Sequence, residues 1–162
     1  MIVVADASPL IFLAKLKQLK LISTLLGKDV RLPKDVMQEV LHPDCDPAER
    51  QELETFLTSC SVEKVSRPRQ FAAAMSRADN AALTLALRNK AGILLCDERI
   101  TRRMAEIERV QTLGTLGVLL RARREGVIPA EEARRLVDQL IRQHNFRISV
   151  EVYQAVLAEL GM

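Results

Sequence analysis

Apolar positions along the chain switch repeatedly between short unbroken runs and helical spacing, and each switch predicts an element. The first run, MIVVA (residues 1–5), is rich in β-branched side chains and too short for a helix, which predicts a buried strand. SPLIFLAKLKQLKLISTLLG (8–27) follows with helical spacing; Ser8 can cap it, Pro9 suits the first helical position and Gly27 ends it. DVRL (29–32) reads as a second strand, and PKDVMQEVLH (33–42) as a helix opened by Pro33 and stopped before Pro43. The segment 43–60 begins as a turn-rich loop and becomes a helix, and VEKV (62–65) is a short strand. From Met75 the spacing is helical again through RADNAALTLALRNK (77–90), followed by the apolar strand ILLC (93–96). A basic helix over 101–108 leads to RVQTLGT (109–115), a strand broken by glycine, and then to a helix over 116–126. The tail reads as two helices, 130–144 and 149–160, joined by NFRI.

Strands alternating with helices imply an α/β fold with a parallel sheet flanked by helices on both faces. No internal repeat or low-complexity linker interrupts the chain. The expected organisation is an α/β domain over 1–128 with a helical extension over 129–162 packed on the same domain. In open parallel sheets, ligands bind outside the carboxyl ends of the strands. Asp6 and Asp97 each directly follow an apolar strand and are expected to face the same rim, with Glu98 beside Asp97.

Two more acids fit that rim. Glu39 stands one residue before Val40, at the border of the apolar face that Val36 and Val40 mark, and Asp79 opens the helical run DNAALTLAL. Carboxylates converging on a strand-end cleft repel one another, and an all-oxygen set suits Mg²⁺ or Mn²⁺. Such ions polarise phosphoryl oxygens, lower the pKa of water and neutralise a phosphoryl transition state, so the natural chemistry is phosphodiester hydrolysis. Each acid also has an ordinary reading. Asp6 can be a turn residue, Glu39 a solvated helix residue, Asp79 an N-cap, and Asp97-Glu98 a turn with local salt bridges. Those readings leave unexplained why an acid ends each of two strands. Ser8 and Pro9, moreover, suffice to start the first helix without Asp6.

Composition narrows the classes without choosing among them. A chain of 162 residues with 48% hydrophobic and 28% charged content fits one folded domain. Aromatics make up 3% and Trp is absent, so the core is aliphatic and base stacking is a poor candidate for the main binding mode. A net charge of +3 only mildly favours a polyanionic partner. Cys45, Cys60 and Cys96 form no CxxC pair, which suits a reducing cytoplasm, and His42 and His144 add too few ligands for a zinc site. The N-terminus meets Asp6 at once and is neither a signal peptide nor a membrane span. ADASP after the first strand contains no glycine, against a nucleotide-binding Rossmann domain.

The order VVADASPLI, LPKDVMQEV, DNAALTLAL, ILLCDE and VQTLGTLGVLLRARREGVIP resembles the PIN-domain superfamily, in its toxin-like branch. The resemblance runs through nearly the whole chain and implies a PIN-like three-layer domain with an acidic cleft for Mg²⁺ or Mn²⁺ and ribonuclease chemistry. It further implies the toxin half of a toxin–antitoxin pair, a homodimer, and a small protein antitoxin that blocks the cleft. By position, Asp6, Glu39, Asp79 and Asp97 match the metal-binding and catalytic acids, with Glu98 as the alternative to Asp97, and Ser8 matches the small polar residue after the first Asp. The chain departs from the pattern at Ala78-Asp79-Asn80-Ala81, where close relatives carry a glycine and two acids as in G-E-A-E. That loss raises the alternative of a catalytically weak or inactive binding module. On the substrate side, Arg99, Arg102 and Arg103 in RITRR lie just beyond the acidic strand end, where phosphates can be met.

Overall fold

The computed structural model describes residues 1–162. Five parallel strands form one sheet in the order β3-β2-β1-β4-β5: β1 (Val3–Ala5), β2 (Val30–Pro33), β3 (Ser61–Glu63), β4 (Ile93–Leu95) and β5 (Thr112–Leu113). The architecture is α/β, a parallel sheet with helices packed against it. β1 and β4 are buried at every position, as expected of central strands with both faces covered. Between the strands run α1 (Ala7–Lys15), α2 (Lys20–Leu26), α3 (Lys34–Val40), α4 (Pro47–Leu57), α5 (Arg77–Arg88) and α6 (Arg99–Ile107). After β5 come α7 (Thr115–Arg124), α8 (Ala130–Gln143) and α9 (Val150–Glu159). No helix is long and apolar enough to cross a membrane.

The chain divides into two compact units, residues 1–115 and 116–162. The first holds the whole sheet. In it α5 packs against β1, β2 and β4, and the unbroken buried run Asn80–Ala86 shows how deeply that helix is enclosed. α1 packs on α3 and α4. In the second unit, Leu136 and Leu140 are buried one helical turn apart on α8, and the Tyr153 hydroxyl donates to Asp138 at 2.7 Å to join α9 to α8.

Several expected boundaries shift. The single helix expected over 8–27 is two helices, α1 and α2, although neither Gly nor Pro separates them. Lys17 adopts a left-handed conformation (φ 57°), with Lys17 N–H donating to Ala14 O at 3.0 Å and Gln18 N–H to Leu13 O at 2.8 Å. That paired closure is a Schellman motif. Apolar spacing continues across it because Leu16 and Leu19 are both buried, so periodicity alone conceals the break. Ser8 does not cap α1: Asp6 does, accepting from Ala7 N–H at 2.8 Å, which makes Ser8 the second helical residue and Pro9 the third. Pro33 ends β2 rather than standing inside a helix, and the third strand is 61–63 rather than 62–65. Ser76, not Asp79, is the N-cap of α5.

The left-handed lysine gives the first expected outcome. A residue with a Cβ is strained at that backbone position and glycine is not. Lys17→Gly therefore raises stability by about 0.5–1 kcal/mol in denaturant unfolding.

Candidate active site

The strand order reverses beside β1: the chain builds β2 and β3 on one side of it, then crosses to lay β4 on the other. The crevice outside the carboxyl ends of β1 and β4 is thus the topological switch point, where open parallel sheets bind their ligands. Ala5 pairs with Leu95, and Asp6 N–H donates to Leu95 O at 2.9 Å. Asp6 and Asp97 accordingly leave neighbouring strands at the same rim.

Asp6 is 3% exposed. Its carboxyl lies near that of Asp79. Burial, that contact and the Asp79 charge together push the Asp6 pKa up to about 8, against the lowering effect of the Ala7 N–H, with Glu39 adding a smaller push. Asp79 is brought there by a capping box. Ser76 Oγ accepts from Asp79 N–H at 3.1 Å, and Ser76 N–H donates to Asp79 Oδ2 at 3.2 Å. The third-residue partner of the capping box and the site residue are therefore the same side chain. Glu39 lies on an exposed position of α3, beside buried Val40. Partial burial of its carboxyl and the charges of Asp79 and Glu98 hold its pKa above the ordinary range.

Asp97 is engaged differently. Thr115 N–H donates to its Oδ1 at 2.7 Å and the Thr115 hydroxyl to its Oδ2 at 2.8 Å, so both carboxylate oxygens already have donors. Burial raises its pKa, opposed by the two Thr115 hydrogen bonds and the charge of Arg102. Of the four acids expected to converge, the structure thus brings Asp6 and Asp79 together with Glu39 close by. It gives Asp97 to Thr115, the first residue of α7, and sets Glu98 near Glu39. No group of three or more His, Cys, Asp and Glu side chains is assembled to hold a metal ion. The donors present still fit a hard divalent cation in kind: a buried and a half-buried carboxylate whose repulsion a cation relieves, leaving positions for water and phosphate, as Mg²⁺ prefers.

Ser8 is half-buried in the first turn of α1, while Arg99, Arg102 and Arg103 are exposed on α6. Ala81, where the resemblance expects an acid, is fully buried. Asn80 beside it is 1% exposed and accepts from Phe71 N–H at 3.0 Å, while Thr84 accepts from Arg69 N–H at 2.9 Å. One helical turn apart, the two side chains fasten the segment before α5 across that helix. The sequence pointed to neither of these, nor to Thr115. Their signal is a polar side chain inside an otherwise apolar helix or strand end, which spacing alone reads as neutral.

A family model described as a PIN domain matches residues 2–162. A solved structure of a PilT N-terminus domain protein from the archaeon Sulfolobus solfataricus P2 superposes with a TM-score of 0.56 at 11% identity, covering 73% of this chain and 90% of that one. At that identity the likeness speaks for the fold. No match was found among curated proteins.

Proposed function

Because the chain belongs to the PIN domain family, whose members are in general nucleases that use divalent metal ions, we propose that it is a Mg²⁺- or Mn²⁺-dependent ribonuclease, the toxin of a toxin–antitoxin pair. The observation that carries this reading is the buried Asp6 carboxyl facing that of half-buried Asp79 at the switch point. Keeping the Asp6 carboxyl out of water next to a second carboxyl, with its pKa raised to about 8, is costly for a purely structural purpose. Asp6 and Asp79 would hold the cation, which when bound supplies Lewis acidity at the phosphoryl group and promotes ionisation of water. Glu39, with its raised pKa, is the proposed proton acceptor. Asp97 acts as a positioning residue through its bonds to Thr115. RNA in the cytoplasm as substrate, a homodimeric state and a small protein antitoxin complete the proposal.

Incubated with Mn²⁺ or Mg²⁺, the protein is expected to cut mixed single-stranded RNA, EDTA to stop it, and Asp79→Asn to slow it at least about 100-fold. Cleavage that persists in EDTA overturns the reading. A second reading, a PIN-fold binding module without catalysis, is favoured by the apolar Ala81 and by the Thr115 bonds that occupy Asp97. Calorimetric titration with Mn²⁺ separates the two, since absence of any binding leaves only the module.

A further inference from the structure

The acids at the rim have been accounted for, but the guanidinium beside them has not. Several of the chain's arginines are ion-paired: Arg50 meets Glu54, Arg69 meets Glu108, Arg77 meets Asp35 and Arg121 meets Glu125. Arg102 differs. It is exposed on α6 and acts on Asp97 through its charge, without a hydrogen bond or ion pair to any side chain.

A glycine leaves room for the Arg102 guanidinium beside Asp97. A Cβ on Gly114 would stand 2.7 Å from Arg102 Nη1, 2.8 Å from Asp97 Oδ1 and 3.4 Å from Cys96 O. Gly114 is required for space, so that guanidinium and carboxylate can both approach the backbone between β5 and α7. The result is a planar, permanently charged fork at the carboxyl end of β4, next to the strand that ends in Asp6. Arg99 and Arg103 share the helix, but neither is brought to Asp97 and Gly114.

We propose that Arg102 is a phosphate-binding residue of this site, taking non-bridging oxygens of an RNA strand, with Asp97 and Gly114 as the residues that position it. Arginine suits this role because its donors match two phosphate oxygens at once. It also offsets, for an approaching polyanion, the negative charge of Asp79, Glu39 and Glu98. The choice of RNA rests on the function proposed above. The positioning of Arg102 by Gly114 does not.

The experiment measures binding without hydrolysis: fluorescence anisotropy of a labelled, mixed-sequence, single-stranded RNA oligonucleotide titrated with the full chain in EDTA over a range of salt. Arg102→Gln is expected to raise Kd roughly tenfold. It should also reduce the slope of log affinity against log salt by about 0.7, one phosphate contact on a single strand. Arg102→Lys recovers part of the affinity, since charge returns without the fork. Gly114→Ala weakens binding as Arg102→Gln does, and the double variant is no weaker than either, because the added methyl displaces the guanidinium. Arg135→Gln, in the second unit and paired with Glu132, controls for net charge and changes Kd by less than about threefold. If the unaltered protein binds RNA and Arg102→Gln matches it in Kd and salt slope, this proposal is overturned and the nuclease reading stands. If the unaltered protein binds no RNA, the substrate assignment itself falls. Should Gly114→Ala fail to fold by circular dichroism, the Arg102→Gln and Arg102→Lys arms decide alone.

Discussion

Asp6→Asn is expected to make the metal-free protein more stable at pH 8 and to abolish its hydrolysis of RNA. Asp6 is 3% exposed, and ionising it beside Asp79 is unfavourable enough to lift its pKa to about 8. An amide has nearly the same shape. Its oxygen can keep the Ala7 N–H bond now measured at 2.8 Å, and its NH₂ can donate to the Asp79 carboxylate, which the wild-type pair achieves only by holding a proton. The variant thus removes the electrostatic penalty and keeps the cap. We expect a gain of roughly 2–4 kcal/mol in unfolding free energy near pH 8, shrinking toward zero as pH falls below 3.8, where Asp6 is protonated in both the folded and the unfolded wild-type chain. Activity with Mn²⁺ falls at least about 100-fold, because one of two proposed cation ligands is gone. This is the stability–function trade expected where like charges are gathered for chemistry. A structural Asp6 would behave in the opposite way: Asp6→Asn would be neutral or destabilising at pH 8, with RNA hydrolysis intact.

Such a result would also explain which parts of the molecule were legible in its sequence. Strand and helix order could be read directly, because buried parallel strands such as MIVVA and ILLC are short, apolar and flanked by helical periods. The α1–α2 break was hidden, since Lys17 supplies the left-handed position that glycine usually marks. Asp6 and Asp97 could be singled out as strand-end acids, but sequence position does not show what their oxygens bond. Asp97 proved to be bonded through both oxygens to Thr115, 18 residues away, while Asp79 combines the capping role with the site role. Carboxylates drawn to a helix N-terminus by the same backbone donors can end in either position. Only the three-dimensional register of β1, β4 and α5 separates them.

The stability of the metal-free protein is expected to fall as pH rises from about 4 to about 8, and divalent cation to reverse the fall. The sign follows from Asp6, whose pKa is raised from 3.8 in the unfolded chain to about 8 in the folded one. The folded state holds that proton more tightly, so its stabilising contribution is complete below pH 3.8 and is lost as pH climbs through 8, at up to about 1.4 kcal/mol per pH unit. Glu39 and Asp97, both raised chiefly by burial, push in the same direction. Asp29 and Glu132, lowered by Arg31 and Arg135, act oppositely. They do so only as pH falls through the carboxylate range, and they do so at the surface, where solvent weakens them. Mn²⁺ competes with the proton for Asp6 and Asp79, and it stabilises by mass action in proportion to how completely that proton has left. The rise in Tm produced by millimolar Mn²⁺ should therefore be near zero at pH 5, largest at pH 8 to 9, and absent from Asp6→Asn at every pH. A Mn²⁺ effect of equal size at pH 5 and pH 9, or one that survives in Asp6→Asn, would mean that the cation binds elsewhere and that the paired carboxyls serve only the fold.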